Sequence, residues 1–402
     1  MPIKCLDIRN FKLIDEASIE FSRVNLLIGP NASGKSTVLH AINAIKTSVS
    51  LLRPTTPGGE RRLSLGNWVS YRYEDLVYLH DPSRWITLKM EGTVTLIQGA
   101  DLSYELEVKM SSDRCGRSCL KLSVDGNDLY NFVDEDLKKP KGTCSTVGVD
   151  LHNFRVMIAD GWDDDPTIEL RMREGDTLLY RSSFEDLLNE YIHFCPVLRG
   201  DVKYEVSFSG PLEKILNVVA KRPELKDKWN EFLSEVLDFN CKVDTSYTRS
   251  GALQLLNITT RSNVALEPFS LAQLLYVVPL VLAARPSSTI LIEEPEIHLH
   301  PRAQAKLVER LAKISEEYNL QLILTTHSEH VLFRLLTLVR EGTLKPKELK
   351  IYYFEREKTM PPKISIEELK VNEKGELDKG LKGFFEANLN ELSRFVRAKS
   401  GG

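Results

Sequence analysis

The segment GPNASGKS at residues 29–36 constrains the fold of this chain more than any other segment. It has the spacing G-x-x-x-x-G-K-[ST], and it lies between a short apolar run, Val24–Ile28, and an amphipathic segment over residues 36–49. The apolar run predicts a buried strand, and the apolar positions of the second segment recur at helical spacing. A strand, a glycine loop and a helix in this order predict an α/β fold whose loop binds phosphate groups.

The residues of this phosphate loop have separate expected roles. Its backbone N–H groups point at phosphate oxygens, Lys35 reaches the β- and γ-phosphates, and the Ser36 hydroxyl binds Mg²⁺. An ordinary glycine turn that caps a helix is the competing interpretation, which the complete order of strand, loop, Lys-Ser pair and helix disfavours. The residues predicted to contact ATP are Asn31, Ala32, Ser33, Gly34, Lys35, Ser36 and Thr37.

Two adjacent carboxylates follow an apolar strand in the second half of the chain. Residues 289–292 read as a buried strand, and Glu293 and Glu294 come directly after it. Paired acids at the end of a buried strand are costly unless a cation or a proton is present there. We therefore predict that Glu293 supports the coordination shell of Mg²⁺ and that Glu294 polarises the attacking water.

A histidine lies at the end of the next predicted strand. Residues 320–324 form the apolar run, the sequence TTHS follows it, and His327 is the histidine. Such a histidine can hydrogen-bond a γ-phosphate, although a lone histidine is more often a structural residue. We favour the phosphate role because His327 follows the acidic strand by one predicted helix, Pro301–Glu317.

The pattern along the chain predicts four parts. These are an N-terminal part of the core with the phosphate loop (residues 1–50), an inserted antiparallel β-rich lobe (51–190), a helical and β insertion (191–265) and a C-terminal part of the core (266–402). Strands and helices alternate in the last part, which favours a largely parallel sheet. In the lobe, Gly92 is expected to be a turn between two short strands.

The charge and cysteine content exclude several classes of protein. The chain has 53 Lys and Arg residues against 57 Asp and Glu residues, and a net charge of −4 excludes a globally basic nucleic-acid coat protein. Six cysteines in 402 residues are too sparse for a disulfide scaffold. The N-terminus does not resemble a signal peptide, and the longest apolar run, 271–284, is short for a membrane span. We expect a soluble, cytoplasmic protein that does not act in a membrane.

Three of these segments together resemble a known group of ATPases. GPNASGKST, TILIEEPEIHLHP and LILTTHS are similar to the ATPase heads of the ABC/SMC/RecF superfamily. The acidic strand most resembles that of the AAA-type, OLD-like ATPases, which reads EEPE-x-HLHP. The resemblance covers most of the chain. It implies an α/β, ABC-type ATPase head with a mixed or parallel sheet, an antiparallel β lobe and a helical insertion, and it implies ATP and Mg²⁺ as cofactors.

The resemblance also assigns roles to individual residues. It implies that Glu293 takes the metal-side acid position, where many relatives have Asp, and that Glu294 takes the general-base position. His327 takes the position of the switch histidine. In such enzymes two heads enclose two ATP molecules, and residues 295–300 match the loop that crosses the dimer interface.

Each head of this group offers a signature serine to the γ-phosphate on its partner. The match is FSLAQ at residues 269–273, in which Ser270 is expected to be the N-cap of a helix whose dipole faces that phosphate. Leu271 and Ala272 replace the two usual glycines, and their side chains are expected to block close approach. The phosphate loop also has Ala32 where glycine is common. ATP binding is therefore a firmer expectation than rapid turnover.

The leading functional hypothesis is a Mg²⁺-dependent ATPase that acts as a dimerising switch. The resemblance suggests work on DNA, in repair, maintenance or defence, with a separate effector protein as partner. A nuclease of the OLD type is disfavoured because the chain after His327 contains no Asp-x-Asp pair and has Asp378 as its one Asp, so a nuclease would be a separate chain. A nucleotide-gated binding module with little turnover stays open.

Overall fold

The computed structural model describes residues 3–48, 62–64, 70–95, 101–111, 115–133, 147–151, 154–160, 168–174, 177–196, 211–237, 241–247 and 253–379. The strands in these ranges are β1 Cys5–Phe11, β2 Ile14–Glu20, β3 Val24–Ile28, β4 Arg62–Ser64, β5 Ser70–Arg72, β6 Ile86–Thr95, β7 Asp101–Met110, β8 Cys115–Val124, β9 Asn127–Val133, β10 Val147–Leu151, β11 Phe154–Asp160, β12 Ile168–Glu174, β13 Thr177–Ser183, β14 Ile192–Cys195, β15 Val243–Tyr247, β16 Leu253–Asn257, β17 Ser262–Asn263, β18 Thr289–Glu293, β19 Gln321–Thr326, β20 Leu349–Arg356 and β21 Ile364–Leu369. The α-helices are α1 Lys35–Ser48, α2 Tyr73–Leu76, α3 Phe184–Tyr191, α4 Pro211–Ala220, α5 Pro223–Val236, α6 Phe269–Ala283, α7 Pro301–Glu317 and α8 Glu329–Arg340.

A six-stranded sheet with the order β14-β18-β19-β3-β20-β21 forms the centre of the fold. Its strands pair in parallel except for β21, which pairs antiparallel with β20. Alternate side chains of β18 enter two different hydrophobic clusters, with Leu291 in one and Ile290 and Ile292 in the other. Because both faces of the sheet are covered, its strands are apolar throughout. The prediction of a largely parallel sheet is confirmed.

Helix α1 and a second six-stranded sheet cover the face that holds Leu291. This antiparallel sheet has the order β2-β1-β6-β7-β8-β9, so the N-terminal hairpin and the strands within residues 86–133 form one ladder. The predicted turn at Gly92 is wrong, because Gly92 pairs with Tyr104 in the middle of β6. The ladder with β7 continues on both sides of the glycine, so the strand does not end there.

Helices α4 to α8 contribute to the hydrophobic cluster on the opposite face. Helix α6 is apolar on nearly all sides because it is buried among the other helices and the central sheet. In the ranges that the structure describes, none of the helices combines the length and the apolar character that a membrane crossing requires. The predicted division of the chain into four parts stays a prediction. Much of the start of the predicted β-rich lobe, residues 51–70, lies outside the described ranges.

Candidate nucleotide-binding site

The phosphate loop and the two paired acids lie at one edge of the central sheet. Strand β3 leads into the loop, β18 ends at Glu293, and β19 ends at Thr326. The register places Ile28 beside Thr326 and Glu293 beside Thr325. The carboxyl ends of three neighbouring parallel strands therefore meet, and ligands of α/β proteins bind at such an edge.

Left-handed backbone conformations give the phosphate loop its shape. Gly29 has φ 149°, and a Cβ atom there would lie 2.2 Å from the carbonyl oxygen of Phe354. Gly34 has φ 94°. Ala32 has φ 57°, a conformation that costs a residue with a Cβ atom about 1–2 kcal/mol relative to glycine. Alanine therefore follows the left-handed course of the loop at a modest cost.

The predicted contact residues divide into an exposed and a buried group. Asn31 and Ala32 are exposed, Ser36 is half-buried, and the side chains of Ser33 and Thr37 are buried. Because the Ser33 and Thr37 side chains are buried, the loop is expected to contact a phosphate mainly through its backbone N–H groups and Lys35.

The ammonium group of Lys35 is held inside the loop. Its Nζ donates to the carbonyl oxygens of Gly29 at 2.9 Å and Pro30 at 2.7 Å. Burial lowers the pKa of Lys35 to about 8, and the negative charges of Glu294 and Glu296 oppose this shift. A buried cation whose partners are neutral carbonyl groups would gain stronger hydrogen bonds from anionic phosphate oxygens.

Glu293 is enclosed and faces helix α1. Strand alternation places its side chain on the same face as Leu291, and it is 7% exposed. His40 Nε2 of α1 lies 3.3 Å from Glu293 Oε1, and Lys12 Nζ lies 2.9 Å from His40 Nδ1. Burial lowers the pKa of Lys12, and the charge of Glu293 opposes this effect. The sequence pattern did not indicate the role of His40, although a histidine among the apolar residues of α1 was a possible signal.

Glu294 turns away from Glu293 towards the end of β19. Its φ is 42°, and its backbone N–H donates to the carbonyl oxygen of Thr325 at 3.0 Å. Glu294 Oε1 lies 3.5 Å from His327 Nε2, and both side chains are partly exposed. The predicted base and the predicted switch histidine are therefore neighbours on the solvent-facing side of the site.

A third acid, Glu296, connects the acidic segment to the end of β19, and sequence reasoning gave it no separate role. Its Oε1 accepts hydrogen bonds from the Thr326 hydroxyl and from the backbone N–H of His327. Burial raises the pKa of Glu296, whereas these two hydrogen bonds lower it. The available signal was the last E of the EEPE motif, an acid that directly follows a proline.

Further hydrogen bonds brace the same two segments. The Thr326 hydroxyl accepts from the backbone N–H of Ser328 at 2.9 Å, and the Ser328 hydroxyl caps α8. Ser328 Oγ also donates to Gln304 Oε1 at 2.5 Å, and Gln304 Nε2 donates to the Leu299 carbonyl oxygen at 2.8 Å. The loop over residues 294–300 is thus attached to the His327 region at two points.

The predicted signature segment forms the first turn of α6. Ser270 is half-buried at the second position of the helix, and the prediction that it is the N-cap is wrong, because the N-cap is Pro268. The Pro268 carbonyl oxygen already accepts from the Leu271 backbone N–H at 3.0 Å, so the helix begins before the serine. Leu271 is completely buried in the core. Its side chain therefore does not obstruct the surface that a partner head would approach.

The residues present fit a magnesium nucleotide. The loop offers backbone N–H groups and one ammonium group to phosphates, and Ser36 and Glu293 carry hard oxygen donors. Mg²⁺ in proteins is usually held by one or two such side chains together with phosphate oxygens and water.

Three family models match successive parts of the chain. The model described as an AAA ATPase domain matches residues 1–139, and the model described as "AAA domain, putative AbiEii toxin, Type IV TA system" matches residues 263–332. A family described as a protein of unknown function matches residues 344–394. The chain is also 21% identical to the OLD nuclease of Thermus scotoductus over 377 residues. This match covers 81% of the chain and 59% of the relative's length.

Solved structures of SMC heads are similar to this chain in fold. One is an SMC head bound to the C-winged helix domain of ScpA, with a TM-score of 0.51, 14% identity and coverage of 91% of this chain and 98% of the other. By sequence the chain resembles AAA-type ATPases over residues 1–139 and 263–332 and an OLD nuclease more widely, and by fold it resembles SMC heads. A second SMC head, with an extended coiled coil and bound to the C-terminal domain of ScpA from Pyrococcus furiosus, has a TM-score of 0.51 and 13% identity, and the match covers 91% of this chain and 96% of the other. The predicted fold class and the resemblance are confirmed.

Proposed function

We propose that the chain binds ATP with Mg²⁺ and hydrolyses it between two associated copies, as a dimerising switch. The observation that supports this proposal most is the convergence of Lys35, Glu294 and His327 at one edge of the central sheet. Glu293 lies at the same edge and completes a set of groups suited to a nucleotide and its cation.

Each group has a distinct task in the proposed reaction. Lys35 binds the β- and γ-phosphates, Ser36 and Glu293 hold the cation, and Glu294 accepts a proton from the attacking water. His327, beside Glu294, hydrogen-bonds the γ-phosphate. A bound Mg²⁺ would neutralise charge that develops on the phosphate oxygens.

The dimer, the DNA-related role and the separate effector protein are proposals that rest on the relatives. The SMC heads of similar fold are bound to ScpA, which makes a separate protein partner a reasonable expectation. The OLD nuclease supports a connection with nucleic acid, and this chain spans 59% of that relative's length. A nucleotide-gated binding module is the second candidate, favoured by Ala272 in the place of a signature glycine.

The deciding experiment is specific ATPase activity against protein concentration, for wild type and Glu294→Gln in parallel. We expect activity per molecule to rise with concentration and to disappear in the variant, because a composite site needs two copies. An activity per molecule that is independent of concentration would refute the shared site. Absent turnover with retained ATP binding would favour the binding module.

A second variant tests the partner contact separately. Ser270→Arg places a bulky cation on the first turn of α6 and should reduce turnover about tenfold or more, since each misplaced group near a transferring phosphate is costly. ATP binding by the monomer should not change. Full turnover in Ser270→Arg would show that the signature lies elsewhere, and reduced ATP binding by the monomer would indicate that the serine acts within its own chain.

A further inference from the structure

We propose that His40 and Lys12 form a positioning relay that orients the Glu293 carboxylate and thereby sets the affinity of the site for Mg²⁺. The inference rests on the proposed function, in which Glu293 supports the cation. His40 and Lys12 are positioning residues here, because both act through Glu293.

The relay joins three separate parts of the fold. Lys12 lies in the turn between β1 and β2, His40 lies on α1 behind the phosphate loop, and Glu293 is the last residue of β18. The two contacts are 2.9 Å between Lys12 Nζ and His40 Nδ1 and 3.3 Å between His40 Nε2 and Glu293 Oε1. His40 and Glu293 are 8% and 7% exposed, so both residues are largely shielded from solvent.

The chemistry of the contacts determines which imidazole nitrogen carries the proton. An ammonium group donates hydrogen bonds and accepts none, so His40 Nδ1 is the acceptor from Lys12. The ring proton then lies on Nε2, directed at the carboxylate of Glu293. Every contact in the relay therefore has a donor and an acceptor. The positive charge of Lys12 offsets the negative charge of an enclosed carboxylate.

His40 and Lys12 are both held in place. The His40 ring packs edge-on against Phe194, with 6.0 Å between ring centroids and an interplanar angle of 81°. Lys12 has φ 53°, and its backbone N–H donates to the Leu76 carbonyl oxygen at 2.6 Å. Ile14, in the same hairpin, lies next to Gly34 of the phosphate loop. The turn that carries Lys12 is therefore fixed relative to the loop.

Glu293 needs such a partner because a glutamate side chain has one more rotatable bond than an aspartate. Without a hydrogen-bond partner the carboxylate would lose more conformational entropy when it binds a cation. Groups that orient a metal ligand without touching the metal typically change metal affinity or activity about 10–100-fold. Through its contact with Glu293, His40 is expected to change the Mg²⁺ affinity of the site by a similar factor.

The test measures the binding of a fluorescent ADP to the full-length chain while the concentration of Mg²⁺ is varied, and again in excess EDTA. His40→Ala should raise the Mg²⁺ concentration for half-maximal enhancement of binding about tenfold or more. Affinity in EDTA should not change. His40→Gln, whose amide offers both a donor and an acceptor, should recover most of the Mg²⁺ response. Turnover at saturating Mg²⁺ should be affected less than the Mg²⁺ requirement.

A matched control removes another buried polar side chain from the same helix. Asn43 lies on α1 one turn beyond His40 and is 4% exposed. Asn43→Ala should leave the Mg²⁺ response unchanged. An equal shift in Asn43→Ala would show that any disturbance of α1 has this effect, which would overturn the relay.

Glu293→Gln separates the relay from the proposed function. If Glu293→Gln shifts the Mg²⁺ requirement and His40→Ala does not, the relay is refuted while the role of Glu293 stands. If Glu293→Gln has no effect, the metal role of Glu293 fails and the relay fails with it. Where His40→Ala does not fold, Lys12→Met gives the answer: a raised Mg²⁺ requirement supports the relay, and an unchanged one overturns it.

Discussion

Glu293 and Glu294 are adjacent in the sequence, yet they belong to two different networks. Glu293 is enclosed, faces α1 and contacts His40. Glu294 is partly exposed, lies after the end of the strand and faces His327. The Glu293 network is buried in the core of the fold. The Glu294 network lies at the surface, between the loop over residues 294–300 and the start of α8.

This difference shows how one backbone conformation separates the tasks of two neighbouring carboxylates. Glu293 still obeys the alternation of β18, whereas a φ of 42° at Glu294 directs the next side chain towards β19. A positioned, dry carboxylate suits a bound cation, and a carboxylate open to solvent suits the activation of a water molecule. Two of the predictions below test whether the two networks are functionally separate, and two concern the lysines at the ends of α1.

Glu294→Gln should produce the largest effect and should be confined to the solvent-facing network. Turnover should fall about 10²–10⁴-fold, the usual contribution of a general base, while ATP affinity and its Mg²⁺ dependence stay unchanged. Phosphate release and nucleotide titration measure the two quantities. Glu373→Gln, a change at an exposed acid, is the control. A turnover near that of wild type would place the base elsewhere, and an altered Mg²⁺ dependence would merge the two networks.

Lys35→Ala removes the ammonium group that the phosphate loop encloses. ATP affinity should fall about 100-fold, because charge-assisted hydrogen bonds contribute about 1.5–3 kcal/mol. Isothermal titration with ATP measures the loss, and Lys358→Ala, which changes an exposed lysine, is the control. Unchanged affinity in Lys35→Ala would remove the basis for the phosphate-loop assignment.

Thr326→Val should weaken only the network around His327. It removes the hydroxyl that donates to Glu296 and accepts from the Ser328 backbone N–H. Loss of about 1 kcal/mol of hydrogen bonding predicts a decrease in turnover of about fivefold, with no change in Mg²⁺ requirement. Thr326→Ser keeps the hydroxyl and should restore turnover. Equal turnover rates for the Val and Ser variants would show that the hydrogen bonds of the Thr326 hydroxyl have no catalytic role.

Lys46→Met tests a buried lysine at the opposite end of α1 from Lys35, away from both networks. Lys46 Nζ donates to the Ile192 carbonyl oxygen, and burial lowers the pKa of Lys46 from its ordinary value of 10.5 to about 8. Between these two values the unfolded chain binds more protons than the folded one, so this lysine favours folding more as the pH rises. As the pH falls through about 8, that contribution is lost.

The measurement is the free energy of urea unfolding for wild type minus that for Lys46→Met at several pH values. The difference should increase by at most about 1.4 kcal/mol per pH unit between the folded and unfolded pKa values. ATP affinity should be unchanged at neutral pH. A difference that is flat with pH would mean that Lys46 has an ordinary pKa in the folded protein.

The elements of the site could be predicted from the sequence because each has a local signal. Period and composition predict the apolar run before the phosphate loop, the apolar strand before Glu293 and the helix Pro301–Glu317. The start of α6 was predicted less well, because Ser270 has a strong N-cap preference while Pro268 ends the preceding extended segment and starts the helix earlier. The local sequence predicts a turn at Gly92. The structure keeps Gly92 in β6 through pairing with β7, and such pairing is not a local property.

The fold class, the phosphate loop, the acids and His327 could all be identified from the sequence, because strand and helix periods and short motifs are local properties. The partners that those groups meet are set by the tertiary structure. Lys12, His40 and Glu293 come together through the packing of a hairpin turn, a helix and a strand, and Glu296 reaches His327 through the register of β18 with β19. Contacts between residues so distant along the chain depend on the whole fold, and no local pattern encodes them.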